Sequence, residues 1–177
     1  DAFLIGDGEE LLEQVCLAKK GTSSKEEFLK KISAFDGVYV PAFYDVEYNE
    51  NGTVKSITAN NDAPKKITKA IVEDMDNAFY PETFVVPYIQ TVHDRAVQEV
   101  FRGCIRGCRF CQAGMIYRPV REKSFDTVSN QAKCLCDSTG YEEVSLSSLS
   151  TSDYTEIEPL LNDMLEWTKE YSNNIAI

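Results

Sequence analysis

From Asp94 to the last residue, the sequence alternates short apolar stretches with longer stretches of helical period. The apolar stretches predict strands, and the amphipathic stretches predict helices that bury one face. In order, they are RAVQEVF, a helix from Ser124 to about Ser138 ended by Gly140, EEVSLSSL, a helix from about Tyr154 to Tyr171, and NIAI. Strands joined by single helices lie parallel in one sheet, with right-handed crossovers. This alternation predicts an α/β fold built on a parallel sheet.

Segment 1–36 predicts a strand followed by two helices. DAFLIGDGEE is typical of a short apolar strand that ends in a glycine turn, and a helix over 9–20 follows, ended by the next glycine. A capping box at Ser24 and Glu27 then opens a second helix over about 24–34.

Segment 37–93 predicts a β-hairpin and a long connection. Residues 38–48 and 53–59 favour two strands, and Asn51-Gly52 between them is a strong hairpin signal. Residues 60–93 contain three prolines and mixed periodicity, which indicates a connecting segment with little regular structure. We therefore divide the chain into 1–36, 37–93 and 94–177.

Between the first strand and the first helix of segment 94–177 lies FRGCIRGCRFCQAG, with three of the six cysteines of the chain. The spacing Cys104-x3-Cys108-x2-Cys111 lets three thiolates converge on one small object, and Gly103 and Gly107 allow tight backbone turns. Clustered cysteines of this kind indicate metal binding or catalysis. Four cysteines would close a structural site, whereas three leave one metal position open for another molecule.

The charge around this loop differs from that of the whole chain. The chain carries a net charge of −11, which argues against nucleic-acid binding over the whole surface. Residues 95–123 nevertheless hold seven basic side chains against two acidic ones, a local charge of +5. This charge fits a loop that carries an anionic metal cluster, and it also fits a phosphate-bearing substrate such as RNA.

The three cysteines, with aromatic Phe110 before the last of them, resemble the CxxxCxΦC signature of radical S-adenosylmethionine (SAM) enzymes. The wider stretch EVFRGCIRGCRFCQAGMIYRPVRE is similar to uncharacterised radical SAM proteins that carry an N-terminal cobalamin-binding-type domain. The opening stretch DAFLIGDGEE resembles the last strand and turn of such a domain. VEDMDNAFYP resembles the segment that leads into their barrel. The resemblance implies that 1–36 is the tail of a Rossmann-like cobalamin-binding domain, 37–93 a hairpin-containing linker, and 94–177 the start of a partial (βα)6-type barrel in a fragment of a longer protein.

The same resemblance implies a cofactor role for each matching residue. Cys104, Cys108 and Cys111 would ligate three irons of a [4Fe–4S] cluster, and the amino and carboxylate groups of SAM would chelate the fourth. Reductive cleavage of SAM would give a 5′-deoxyadenosyl radical that acts on an unknown substrate, with methyl or methylthio transfer among the candidate reactions. The backbone at Phe110 would lie against the adenine. SLSSLSTSD replaces the GGE motif of the family, so Ser147 and Ser148 are the expected contacts to SAM. Cobalamin stays open as a further cofactor.

Two alternatives to the radical SAM enzyme remain open at this point. One is a non-catalytic, zinc-stabilised binding module, in which Cys134, Cys136 or His93 supplies the fourth ligand. Zinc sites usually arrange cysteines as CxxC pairs, which fits the observed spacing poorly. The other is a ferredoxin-like electron carrier, which needs a fourth nearby cysteine. We expect Cys134, Cys136 and Cys16 to be core or partly buried thiols.

The expected partners follow from the same hypothesis. They are SAM, an external electron donor of the flavodoxin or ferredoxin type, and an unknown substrate, with RNA as one possibility. No apolar run approaches the ~20 residues that a membrane span needs, so we expect no membrane partner. Clustered free thiols favour the cytoplasm.

Overall fold

The computed structural model describes residues 1–89, 91–171 and 174–176, and it is a mixed α/β structure with small sheets and five helices. The chain divides into two compact units, Asp1–Val72 and Glu73–Ile177, which we call the N-terminal and C-terminal units. This division falls within the predicted segment 37–93, so the three-segment division stays a prediction.

The N-terminal unit begins with the predicted strand and helices. They are β1 (Phe3–Leu4), α1 (Glu9–Lys20) and α2 (Lys25–Ile32). The predicted bounds of α1 are confirmed, whereas α2 ends two residues before the predicted end. The Ser24 hydroxyl accepts the N–H of Glu27 at 3.1 Å, and the Glu27 carboxylate accepts the N–H of Ser23 at 2.9 Å. The reciprocal capping bond therefore reaches one residue further back than in a standard capping box.

Four short strands of the N-terminal unit form two separate antiparallel pairs. β1 pairs with β2 (Val38–Tyr39), and β3 (Tyr44–Tyr48) pairs with β4 (Val54–Ala59). The prediction of one strand over 38–48 is wrong, because a 3₁₀ turn at Pro41–Phe43 interrupts it. Proline has no N–H to donate to a strand partner, which explains the break. The hairpin predicted at Asn51-Gly52 is confirmed.

The core of the N-terminal unit lies between its helices and β2. Its buried residues are Leu11, Ala18, Leu29, Ile32, Val38 and Val40. Cys16 of α1 is exposed, so the prediction that it is a core or partly buried thiol is wrong. Between residues 60 and 89, the structure has a single isolated bridge, from Ala70 to Gly6, in agreement with the predicted lack of regular structure. Gln90 lies outside the described residues.

The C-terminal unit contains a parallel sheet flanked by helices. Its elements are β5 (Ala96–Glu99), β6 (Phe101–Arg102), α3 (Ala113–Ile116), β7 (Arg121–Glu122), α4 (Phe125–Thr139), β8 (Glu143–Ser147), α5 (Ile157–Tyr171) and β9 (Asn174–Ala176). β5, β8 and β9 lie parallel in that order. The predicted parallel sheet is confirmed, and only Ile177 of the predicted last strand lies outside the described residues. The strands described here form no closed barrel.

One face of this sheet packs against α4 and α5. Ala96 and Gln98 of β5 and Val144 and Leu146 of β8 are buried there. The core continues into the helices through Val128, Ala132, Leu135, Cys136, Leu160, Met164 and Trp167. Val97, on the opposite face, is 54% exposed. The alternation of a strand thus gives this sheet one covered face and one open face.

A buried tyrosine anchors the segment before α5 to the β6–β7 pair. The Tyr154 hydroxyl donates to the carbonyl of Lys123 at 2.9 Å, and its ring stacks on Phe101 at a centroid distance of 6.5 Å. Burial raises the pKa of Tyr154 from 10.0 to about 12, with the nearby carboxylate of Glu156 adding to the shift. The folded chain therefore keeps this proton at a pH where the unfolded chain has lost it.

Stability in alkaline solution tests this anchor. The advantage of the wild type over Tyr154→Phe should be constant from pH 7 to 9 and should shrink between pH 10 and about 12, because the unfolded tyrosine ionises first. Urea unfolding followed by far-ultraviolet circular dichroism measures both proteins. At pH 7, the variant should lose about 1 kcal/mol, the value of a buried hydrogen bond. A difference that stays constant up to pH 12 would contradict the raised pKa.

Candidate metal centre

The three-cysteine loop leaves the carboxyl end of β5. The chain crosses β6, runs through the loop and α3, and returns through β7, which pairs antiparallel with β6. The N–H of Val100 donates to the carbonyl of Ser147 at 3.1 Å, and the N–H of Lys123 donates to the carbonyl of Val100 at 3.0 Å. The loop and the end of β8 therefore lie at one edge of the sheet, where α/β folds place their ligands.

Glycine is required at the base of the loop. Gly103 has φ of +91°, and a Cβ added there would lie 2.8 Å from the carbonyl oxygen of Pro119 and 2.9 Å from Cα of Val120. Gly107, between the first two cysteines, has φ of +63°. The predicted need for glycine is confirmed at both positions, and at Gly103 the reason includes close contact with the returning strand.

The loop backbone holds two of the three sulfur atoms. The N–H of Arg106 donates to Sγ of Cys104 at 3.5 Å, and the N–H of Gly114 donates to Sγ of Cys111 at 3.4 Å. Cys104 is buried, Cys111 is half-buried and Cys108 is exposed. N–H donors to cysteine sulfur are a recognised influence on iron–sulfur clusters, so this donor set fits such a cluster.

The thiols are not arranged as a ready-made ion site. Within residues 1–89, 91–171 and 174–176, no three His, Cys, Asp or Glu side chains come together in a way that could hold a metal ion.

The single histidine of the chain and the other two cysteines of the C-terminal unit lie away from the loop. His93 precedes β5, whose four residues span roughly 13 Å, and the loop follows its other end. Cys134 lies nine residues after the first residue of α4, which is about 14 Å along the helix axis. The start of α4 follows β7, the strand that ends the loop. The sulfur of Cys134 contacts the carbonyl of Glu82 at 3.2 Å, and Cys136 is buried in the core. The predicted burial of these two thiols is confirmed, and neither they nor His93 is placed to complete a zinc site with the loop.

The predicted SAM contacts lie on this loop and at the end of β8. Phe110 is 91% exposed, and Ser147 is also exposed. The Ser148 hydroxyl is 3.0 Å from that of Thr151 and accepts the N–H of Ser150 at 3.2 Å. Ser148 therefore stabilises its own turn, whereas Ser147 presents its hydroxyl to the surface.

Six of the seven basic side chains near the loop are engaged with residues that the structure describes. Arg121 donates to the carbonyl of Pro119 at 3.3 Å, and Arg118 is also engaged. Arg95 binds Glu143 at 2.7 Å, and Arg102 binds both carboxylate oxygens of Glu99 at 2.9 and 3.0 Å. Arg106 binds Asp153. Lys123, which is buried, donates to Gln131 at 2.8 Å. Three of these partners are carboxylates that balance the positive charge. This leaves less charge for a phosphate-bearing substrate than the sequence suggests.

Asp153 is a further residue of the site that was not predicted from the sequence. It follows β8 in a 3₁₀ turn at Thr151–Asp153, and its carboxylate accepts from Arg106 and from the hydroxyl of Ser150 at 2.7 Å. The Arg106 guanidinium, and then the Ser150 hydroxyl, hold the pKa of Asp153 below its usual value. The contact joins the cysteine loop to the β8–α5 connection. The arginines of the loop and the aspartate of the stretch SLSSLSTSD carry opposite charges, and this was the sequence signal that could have predicted the contact.

Comparison with known protein families, with curated proteins and with solved structures finds no match for this chain. The resemblance to radical SAM enzymes therefore depends on the residues quoted above. None of the helices in the described part of the chain is both long and apolar enough to cross a membrane.

Proposed function

We propose that this chain binds a [4Fe–4S] cluster through Cys104, Cys108 and Cys111 and belongs to a radical SAM enzyme that acts on an unknown substrate. The observation that carries the proposal is the position of three thiols on one short loop at the carboxyl edge of a parallel sheet. His93 precedes the opposite end of β5, Cys134 is half-buried on α4, and Cys136 is buried in the core. This supports a cluster with one iron open to a small molecule rather than a closed zinc site.

Each residue of the loop has a defined part in this proposal. The three thiolates hold three irons, while the N–H groups of Arg106 and Gly114 donate to sulfur. When bound and reduced by an external electron donor, the cluster would supply one electron to the sulfonium of SAM, which would divide into methionine and a 5′-deoxyadenosyl radical. The exposed hydroxyl of Ser147 is available to the polar groups of SAM. The backbone at Phe110 is proposed to contact the adenine.

The finer description of the fold is part of the same proposal. The sequential order of β5, β8 and β9 supports the start of a (βα)6-type barrel, whose open sheet face would line the interior. The strand–turn–helix arrangement of β1 and α1 gives some support to the tail of a cobalamin-binding domain. The antiparallel pairing of β1 with β2 does not support this assignment, because Rossmann-like sheets are mostly parallel. Cobalamin binding and an electron donor of the flavodoxin or ferredoxin type remain proposals.

Anaerobic reconstitution of the chain with iron and sulfide tests the function. We expect about four irons and four sulfides per chain, and an electron paramagnetic resonance (EPR) signal after reduction with dithionite. Addition of SAM should change that signal, because SAM binds the iron that no cysteine holds. Release of 5′-deoxyadenosine from SAM by the reconstituted, dithionite-reduced protein then tests the radical chemistry.

Metal content separates the alternatives. One zinc per chain without sulfide would support the zinc-stabilised module and overturn the proposal. A complete cluster whose EPR signal is unchanged by SAM would keep the cluster and overturn the assignment to radical SAM chemistry.

A further inference from the structure

An ion pair joins the cysteine loop to the β8–α5 connection. Nε of Arg106 donates to one carboxylate oxygen of Asp153 at 2.6 Å, and Nη2 donates to the other. A two-point contact of this kind fixes the orientation of both groups as well as their separation. It therefore holds two segments 47 residues apart in one arrangement.

The two ends of this contact differ in burial and in their local hydrogen bonds. The Asp153 side chain is 13% exposed, and the turn that carries it is fixed by bonds from Asp153 N–H to the carbonyl of Ser150 and from the Ser150 hydroxyl to the carboxylate. The Arg106 side chain is 58% exposed and belongs to a loop without regular structure. Asp153 is therefore the fixed end, and the loop is the part that the contact orders.

Arg106 also touches the cluster ligands. Its own N–H donates to Sγ of Cys104, so the residue contacts a ligand through its backbone and the sheet edge through its side chain. Arg106 lies two residues from Cys104 and two residues from Cys108 in the sequence. Its positive charge is thus carried by the segment that joins two of the three cysteines.

We propose that Arg106 is a positioning residue that, through Asp153, seats the cysteine loop against the β8–α5 connection and keeps a positive charge beside Cys104 and Cys108. The inference rests on the proposed function and adds to it the group that orders the loop before the cluster binds. It also links the cluster ligands to the segment that carries Ser147 and Ser148.

Thiol reactivity tests the seating of the loop without any cluster. In the metal-free chain, Cys104 is buried and Cys108 is exposed, so the alkylation rate of Cys104 relative to Cys108 reports the seating. Asp153→Asn breaks the two-point contact and keeps the Arg106 charge, and it should speed Cys104 alkylation about fivefold relative to Cys108. Arg106→Gln should also speed it.

The matched control is Arg109→Gln. Arg109 is exposed in the same loop, and it forms no ion pair with any residue that the structure describes. This variant removes the same charge and should leave the alkylation ratio of the wild type unchanged. Equal ratios in Asp153→Asn, Arg109→Gln and the wild type would overturn the seating role.

The reduction potential of the reconstituted cluster tests the charge. Arg106→Gln removes a positive charge and should lower the midpoint potential, whereas Asp153→Asn removes a negative charge and should raise it. Arg106→Lys keeps the positive charge, so its cluster should have the midpoint potential of the wild type. Lysine cannot form the two-point contact with Asp153, so Cys104 should still be alkylated faster than in the wild type. Arg106→Gln and Asp153→Asn should therefore shift the potential in opposite directions while both speed the alkylation of Cys104. Structural damage alone would not produce this combination. Shifts of the same sign would overturn the charge role.

The two tests separate this inference from the proposed function. If the wild type takes up no iron, the proposed function fails, whereas the alkylation ratios still decide whether Arg106 seats the loop. If the wild type takes up iron and the ratios do not differ, the cluster stands and the inference fails.

Discussion

Replacing any one of Cys104, Cys108 or Cys111 with serine should reduce the iron content of the reconstituted chain from about four per chain to less than about one. A cubane held at three corners has no spare protein ligand, so the loss of one thiolate leaves a cluster bound at two points. Serine keeps the size and polarity of the side chain, which limits damage to the fold. Iron and acid-labile sulfide assays and the EPR signal of the reduced chain measure the effect.

Two other cysteines provide matched controls. Cys16 is exposed on α1, and Cys134 is half-buried on α4, with its sulfur on the carbonyl of Glu82. Cys16→Ser and Cys134→Ser should keep the iron content of the wild type. Loss of metal in Cys134→Ser would identify a fourth ligand and favour the closed zinc site. Retention of iron in Cys108→Ser would remove the exposed cysteine from the ligand set.

The parts of the fold that the sequence predicted well depend on neighbouring residues. The Ser124 hydroxyl accepts the N–H of Thr127, three residues later, and Gly140 ends α4 with φ of +72°. Such caps are contained within one helical turn and are visible as short residue patterns. The alternation of strands and helices after Asp94 likewise predicted the parallel sheet.

The position of Pro41 shows a local signal that the sequence analysis did not use. A strand was predicted across it, although proline inside an apolar run argues against an unbroken strand. The structure instead has a 3₁₀ turn at Pro41–Phe43, and β2 and β3 have different partners. The residue pattern was sufficient here, and the interpretation was wrong.

Gln98 illustrates a contact that no local pattern could predict. Its side chain is polar, yet it lies on the covered face of β5 between Ala96 and Val100 and is 0% exposed. Its amide donates to Gln131 at 2.9 Å and accepts from the Tyr80 hydroxyl at 3.0 Å. These partners lie 33 and 18 residues away, so only the tertiary fold supplies the hydrogen bonds that make burial of this amide possible.

The candidate site shows the same division between local and distant signals. Cysteine spacing and the glycines of the loop are local, and they were sufficient to predict three ligands. The contact between Arg106 and Asp153 spans 47 residues and depends on β5 and β8 being neighbours in the sheet. The candidate ligands can therefore be proposed from the sequence alone, whereas the pairing of Arg106 with Asp153 becomes visible in the fold.

Replacing Gly103 with alanine should destabilise the C-terminal unit by roughly 3 kcal/mol and also reduce cluster binding. Two costs add together: the strain of an alanine at φ of +91° and the collision of its Cβ with backbone atoms of Pro119 and Val120. These atoms belong to the chain that returns into β7, so relief of the collision must separate the two sides of the loop stem. Urea unfolding followed by the fluorescence of Trp167, which is buried in this unit, measures the stability.

Gly140→Ala separates the two costs. Gly140 has φ of +72°, and no atom lies within 4 Å of the Cβ that alanine would add. This variant should therefore lose only the strain component, about 1 kcal/mol, and should bind iron as the wild type does. If Gly103→Ala and Gly140→Ala lose the same stability and both keep the cluster, the backbone at Pro119 and Val120 moves away from the added Cβ without a measurable cost. The loop would then be held by its contact with Asp153 rather than by the close approach of its two strands.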